Sequence, residues 1–137
     1  MAYQEVFRVS SRGRGSQNIT GEVKAVVARA AIATGLAHVF VRHTSCSLLL
    51  TENADPDVRL DLETLFARLV PDGDPIYRHD LEGQDDMAAH GRSLLAGDEL
   101  TVPVGNGELL LGGWQGIFLW EHRTSSHRRE IVVTVIG

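Results

Sequence analysis

From Leu100 to Ile136 the chain reads as a nearly continuous succession of strand patterns, and this block limits the fold more than any other feature. Leu100–Val104 and Glu108–Leu111 flank Gly105-Asn106-Gly107, residues that tolerate the positive φ of a tight hairpin turn. Trp114–His122 and Glu130–Ile136 read as two further strands, joined by the polar turn Arg123–Arg129. Alternation in the first of these puts Trp114, Gly116, Phe118, Trp120 and His122 on one side. Gln115, Ile117, Leu119 and Glu121 fall on the other. A sheet of this kind has an apolar face that must be covered, so the preceding residues have to supply a second layer.

The first two-thirds of the chain carries that cover. Tyr3–Val9 alternates as a half-buried strand and Ser10–Ser16, rich in Gly, Ser and Arg, breaks it. Thr20 is read as an N-cap, after which Val23, Val26, Val27, Ala30 and Ala31 recur at helical spacing up to Gly35. Ala37–His43 and Cys46–Thr51 read as two strands, or one strand broken at His43-Thr44-Ser45. Asp55-Pro56 opens a helix whose apolar stripe is Val58, Leu62, Leu65, Phe66 and Leu69, ended by Pro71 and Gly73. Pro71–Gln84 has no periodicity and is longer than most connections, as functional loops often are. Asp85 or Asp86 then caps a short helix carrying Met87, His90, Leu94 and Leu95, closed by Gly97. The sum is an α+β fold in a single domain over 1–137, a length that buries roughly two-thirds of the unfolded chain's surface.

Composition excludes several function classes. Thirteen basic against eighteen acidic residues give a net charge of −5, which argues against nucleic acid and anionic membrane as partners. Two short basic stretches, Arg8 to Arg14 and Arg123 to Arg129, leave local anion binding open. The lone Cys46 cannot form an intrachain disulfide and fits a reducing compartment. Met1–Val9 lacks the pattern of a secretory signal and no apolar run is long enough to span a membrane, so a cytoplasmic location is the expectation. Neither a Gly-x-Gly-x-x-Gly fingerprint nor a Walker loop is present.

The chemistry-bearing residues gather in three places. His79 to His90 packs two imidazoles and four carboxylates into one stretch, whose repulsion calls for a cation or basic partner. If the helix starts at Asp86, that residue and His90 lie four apart on one face and can converge on one point. The alternative is that Asp85 and Asp86 are only caps and Glu82 is solvated. Glu121-His122-Arg123 closes a strand with acid, base and cation. His122 is the ligand choice there, while Glu121 either orients an imidazole or pairs with an arginine from elsewhere. His43-Thr44-Ser45-Cys46-Ser47 sets a base beside hydroxyls and a thiol, yet adjacency in sequence is poor evidence for a nucleophile. Hydroxyls and amides at a strand break are better suited to phosphate oxygens, with Arg123 as a bidentate partner. His38, without an acidic neighbour in sequence, is read as structural.

His43-Thr44-Ser45, Glu52 to Pro56, His79 with Glu82-Gly83, Asp85-Asp86-Met87 with His90, Trp114 to Ile117 and Glu121-His122-Arg123 together resemble the YjbQ-like family, in that family's order from about Phe40 onward. Cys46 where alanine is common, Ala88 where proline is usual, and Thr124–Arg129 where a glycine-rich turn is frequent depart from its pattern. The resemblance implies a mixed β-sheet curled into a half-barrel with helices against it, a homotrimer, and in some members a weak thiamine-phosphate synthase activity.

The combined expectation is a metal- or phosphate-binding small enzyme. His79, His90 and His122 hold a divalent metal, with zinc favoured over magnesium or manganese. Asp86, Glu121 and Gln115 orient ligands or move protons, and His43, Ser45, Asn53 and Arg123 hold a phosphorylated small molecule. A metal-dependent hydrolase and a non-catalytic trimeric metal- or ligand-binding protein are the alternatives.

Overall fold

The computed structural model describes residues 1–137. Its elements run β1 (Ala2–Ser10), β2 (Gly15–Asn18), α1 (Thr20–Ala30), β3 (Gly35–Val41), β4 (Cys46–Glu52), α2 (Pro56–Leu69), α3 (Asp86–Ala96), β5 (Glu99–Gly105), β6 (Glu108–Leu109), β7 (Gln115–Glu121) and β8 (Arg128–Ile136). Five strands pair in the order β1-β8-β3-β5-β6 and three in the order β2-β7-β4. The class is the expected α+β, with the strands curled into a half-barrel. Every ladder is antiparallel, where the resemblance implied a mixed sheet. No helix is long and apolar enough to cross a membrane.

One core joins the two sheets. Val23, Val26, Val27 and Ala30 of α1 pack with Ala37, Val39, Leu48, Ile117, Leu119, Ile131, Val133 and Val135, all buried. This is the face that alternation in β7 assigned to Ile117 and Leu119. Phe118 and Trp120 point to the opposite face, also buried, where Phe66 of α2 meets Trp120 with ring centroids 4.6 Å apart. The Gly105-Asn106-Gly107 hairpin forms as expected, with Asn106 at φ 50° and Gly107 at φ 76°.

Three local expectations need correction. Helix α1 stops at Ala30 rather than running on to Gly35, because Ala31 turns into the left-handed region and β3 must begin at Gly35 to reach its partners. Thr20 does not cap that helix. Ile19 holds the position, and the Thr20 hydroxyl instead accepts from Ile117 N at 2.8 Å. The apolar stripe of α2 is half-covered at best, with no residue of the helix fully buried and Leu65 and Leu69 exposed. Its start is as read, with Asp55 accepting from Asp57 N at 2.9 Å and Pro56 in the first turn.

β2 went unforeseen. It holds β7 from the side opposite β4, and the bend before it depends on Gly13 at φ 94°, where a Cβ would sit 2.6 Å from the Thr124 carbonyl oxygen. That contact presses the turn carrying Arg14 against the loop that follows β7. The stretch 79–90 is joined to that loop separately, through Arg123 and Thr124 to Asp85 and Asp86.

Candidate functional site

The start of α3 gathers the first cluster. Asp86, 2% exposed, lies in the first turn, and the helical spacing brings His90 onto the same face. One oxygen of Asp86, Oδ2, lies 2.6 Å from His79 Nε2 and 3.2 Å from His90 Nε2. The other, Oδ1, accepts from Arg123 Nη1 at 2.9 Å. His79, Asp86 and His90 thus offer three ligand atoms within 4.8 Å of one another.

Charge bookkeeping sharpens this arrangement. His90 Nδ1 lies 3.0 Å from the Thr44 carbonyl oxygen, which can only accept, so Nδ1 carries a proton. The neutral ring then turns a lone pair at Nε2 toward the lone pairs of a carboxylate. That is favourable only with a cation between them, either a second proton on the ring or a metal ion. A backbone carbonyl on Nδ1 with Nε2 left free is the tautomer that metal-ligating histidines use. Burial alone would raise the Asp86 pKa. The hydrogen bond from His79 and the positive charge of His90 and Arg123 outweigh it and hold the carboxyl below its ordinary value.

Asp85 behaves differently from the cap expected of it. Its side chain makes no capping bond to α3, and Oδ2 accepts from Thr124 N at 2.8 Å and Arg123 Nε at 3.0 Å. Burial opposes ionisation here, but those two donors hold the pKa at about 2. Arg123 also donates to the Glu82 carbonyl at 2.8 Å. Its guanidinium fork thus donates to Asp85, Asp86 and the Glu82 carbonyl within the chain, which sets it directly behind Asp86.

The three imidazoles do not come together within the chain, because His122 lies apart from the His79–Asp86–His90 group. Alternation in β7 sends His122 to the face of Trp120, with the two rings 4.8 Å apart, and it is fully buried there. Its Nε2 pairs with the Ser47 hydroxyl at 2.7 Å, and its Nδ1 has no partner. Burial, reinforced by the charge of Arg92, pushes its pKa down to about 3, so the ring is neutral.

Glu121 points into the opposite layer, as alternation requires. It is fully buried and pairs with Arg129 through Nε at 2.8 Å and Nη2 at 2.5 Å, and it accepts from the Ser11 hydroxyl at 2.6 Å. Of the two readings of Glu121, the arginine partner is the one realised, and every oxygen is occupied. Within the chain it is a buried ion-pair partner. Arg129 was the residue missed, because nothing in the sequence singles it out from its basic neighbours.

Arg129 Nη2 also donates to the Ser45 hydroxyl at 2.9 Å, and that hydroxyl lies 3.0 Å from His43 Nδ1. Ser45 is buried, and Cys46 beside it is buried with its thiol pushed up to about 12 by desolvation, so neither is a poised nucleophile. His43 is exposed and lines a cleft of about 320 Å³ with Thr44, His90, Ser93, Leu94 and Asp98. Desolvation, followed by the charge of Arg129, lowers its pKa from 6.5.

Gln115 and Asn53 stand apart from all of this. They line a wider cleft of about 550 Å³ beside Thr20, Lys24 and Gly112, with Gln115 Oε1 accepting from Gly112 N at 2.8 Å. Of the ten expected site residues, then, His79, Asp86, His90 and Arg123 meet in one cluster. His43 and Ser45 adjoin it, and Gln115, Asn53, Glu121 and His122 are directed elsewhere within the chain.

Residues 5–137 match the family model described as UPF0047 protein YjbQ-like. A UPF0047 protein of Synechocystis is 50% identical over 135 residues, covering 98% of this chain and 92% of its own length. The UPF0047 protein YjbQ of Escherichia coli O157:H7 is 43% identical, covering 100% and 99%. Among solved structures, a YbjQ-like protein of unknown function from Sulfolobus solfataricus superposes with a TM-score of 0.91 at 27% identity, covering 100% of this chain and 98% of that one. A conserved hypothetical protein from Thermus thermophilus superposes with a TM-score of 0.86 at 39% identity, covering 96% and 99%.

Proposed function

This chain belongs to the YjbQ-like UPF0047 family, and within that family we propose that it is a divalent-cation-dependent enzyme acting on a small phosphorylated substrate, with His79, Asp86 and His90 as the cation's protein ligands. The observation that carries this reading is the approach of two imidazole Nε2 atoms to one oxygen of a buried carboxylate. Zinc suits two imidazoles and a carboxylate best, and magnesium or manganese would lean on the carboxylate.

Such a cation would act as a Lewis acid, drawing charge from a substrate oxygen and making water nucleophilic near neutral pH. The chain's own residues prepare for it. Thr44 fixes one proton of His90 on Nδ1, which leaves Nε2 as the atom that could bind a cation, and Arg123 holds Asp86 with Oδ2 turned to the imidazoles. Glu82, 3.6 Å from His79 Nε2 and mostly exposed, is the free carboxylate able to accept a proton from water at the rim. His43 turns toward the cleft that it shares with His90. The 2.6 Å His79–Asp86 spacing is that of a hydrogen bond, so cation entry would widen it and release a proton.

Hydrolysis fits this set better than thiamine-phosphate synthesis. Stabilising a departing pyrophosphate calls for a free cationic side chain, and Arg123 is committed to Asp85 and Asp86. We propose the homotrimer on separate grounds: Leu60, Leu65 and Leu69 on α2 and Ile76 and Leu81 beyond it leave apolar surface for a neighbouring chain.

The test is elemental analysis of protein purified without an affinity tag or added metal, then a substrate screen. A stoichiometric cation that is lost in His90→Ala supports the reading, and unchanged cation content in that variant overturns the ligand set. Release of phosphate from one substrate supports hydrolysis. Pyrophosphate release that needs both thiamine precursors would reverse that choice, and tight binding without turnover would leave a binding protein.

A further inference from the structure

His43 offers the cleft a side chain whose proton the fold has already assigned. The Ser45 backbone N–H lies 3.2 Å from His43 Nδ1, and a backbone N–H can only donate, so Nδ1 accepts. The Ser45 hydroxyl, 3.0 Å from the same nitrogen, is constrained from behind. Arg129 Nη2 at 2.9 Å can only donate to it, which leaves its single hydrogen free for Nδ1. Arg129 is in turn fixed by both oxygens of Glu121, and Ser45, Arg129 and Glu121 are all buried. Two donors converge on Nδ1, so the proton of the neutral ring is on Nε2, which has no partner within the chain and belongs to a side chain lining the cleft beside His90.

We infer that Ser45, held by Arg129 and Glu121, is a positioning residue that fixes His43 in the Nε2–H form, so that His43 presents the cleft with a hydrogen-bond donor for an oxyanion of the substrate. This rests on the proposed site by assigning the recognition of substrate oxygen to His43 rather than to Arg123. It also sets the direction of the hydrogen bond: Nε2–H donates to an oxygen and keeps its proton, and the ring does not take a proton there, since that nitrogen is already protonated. The lowered pKa of His43 agrees with a ring that resists a second proton. The ligand class is an anionic phosphoryl or carboxyl group, one oxygen of which accepts from Nε2.

Long-range ¹H–¹⁵N spectra of the whole protein, recorded with and without added zinc, read the tautomer directly. The expected result is an unprotonated Nδ1 and a protonated Nε2 in both samples. A proton on Nδ1, or an even exchange between the two forms, overturns the inference. In Ser45→Ala the share of the Nδ1–H form should rise, and Ser45→Thr, which keeps the hydroxyl, should restore the original spectrum. An alanine variant with the wild-type tautomer overturns the role of Ser45, and if that variant does not fold the wild-type spectrum still decides.

Inorganic phosphate serves as the oxyanion probe. It should shift the His43 Nε2 signal, and His43→Ala should weaken its binding roughly three- to tenfold, the weight of one hydrogen bond. An unmoved signal at saturating phosphate overturns the donor role. Because the tautomer is read without metal, failure of the cation site leaves this result standing, and a wrong tautomer leaves the cation content of the protein untouched.

Discussion

Two carboxylates, each with an arginine, lie at the same end of the half-barrel, and the contrast between them separates structure from function. Glu121 is fully buried, and its oxygens accept from Arg129 twice and from Ser11 and Arg123 N once each. Asp86 is almost as buried, yet Arg123 takes only Oδ1, while Oδ2 faces two imidazoles that are themselves part-exposed. In the first case every lone pair has a fixed donor and nothing is left to bind. In the second the donors are titratable, and a cation can replace their protons. Burial of a charge is not the signature of a site; an incompletely assigned coordination shell at the edge of solvent is.

The largest effect that would test this contrast lies at the closed pair. Arg129→Met strands the Glu121 charge and should cost about 3–5 kcal/mol, measured by urea unfolding. Replacing both residues by methionine should recover a substantial part of that loss, because an apolar pair leaves no buried charge. A double variant no better than the single one would mean that Glu121 and Arg129 carry more than a mutual pairing.

His122 gives the next effect, and it is pH-dependent. Its folded pKa, about 3, lies below its unfolded value of 6.5, so the unfolded chain binds more protons between those limits. The associated stability is fully present above pH 6.5 and is lost as pH falls toward 3. From about pH 7 to about pH 4 the loss should reach roughly 2–3 kcal/mol. His122→Gln, which retains a partner for Ser47 but does not titrate, should flatten that slope in unfolding experiments run across the range.

How far these regions were legible in the sequence follows from how local each one is. The Asp86–His90 pair was readable because helical spacing alone brings residues four apart together, and the hairpin at Asn106-Gly107 because turn chemistry is local. The faces of β7 were also readable, since alternation put Phe118, Trp120 and His122 opposite Ile117 and Leu119. What covers each face was not. That His122 meets Ser47 of β4 and that Glu121 meets Arg129 across the loop 122–127 are tertiary facts with no signature in spacing. β2 was missed because Gly15–Asn18 contains no β-branched residue and pairs only by continuing the ladder of β7.

Arg123 comes third. If it positions Asp86 rather than substrate, Arg123→Ala should weaken zinc affinity roughly 10- to 100-fold, followed by competition with a chromophoric chelator. Affinity for inorganic phosphate at saturating zinc should change far less. The opposite pattern, with phosphate lost and zinc retained, would return Arg123 to the role that its place in the sequence first suggested.

The smallest effect is expected at Gln115, and it sharpens the comparison most because it probes a region that shares no residue with either carboxylate. Its side chain closes the Gly112 turn through one hydrogen bond in the wider cleft, where Asn53 also lies. Gln115→Ala should therefore cost about 0.5–1.5 kcal/mol of stability and leave zinc stoichiometry and affinity unchanged within about twofold. A tenfold or greater loss of zinc affinity or turnover would mean that the two clefts act as one. Since they are lined by different residues within the chain, that result would most simply place Gln115 of one copy against His79, Asp86 and His90 of another, and the homotrimer would then be part of the active site.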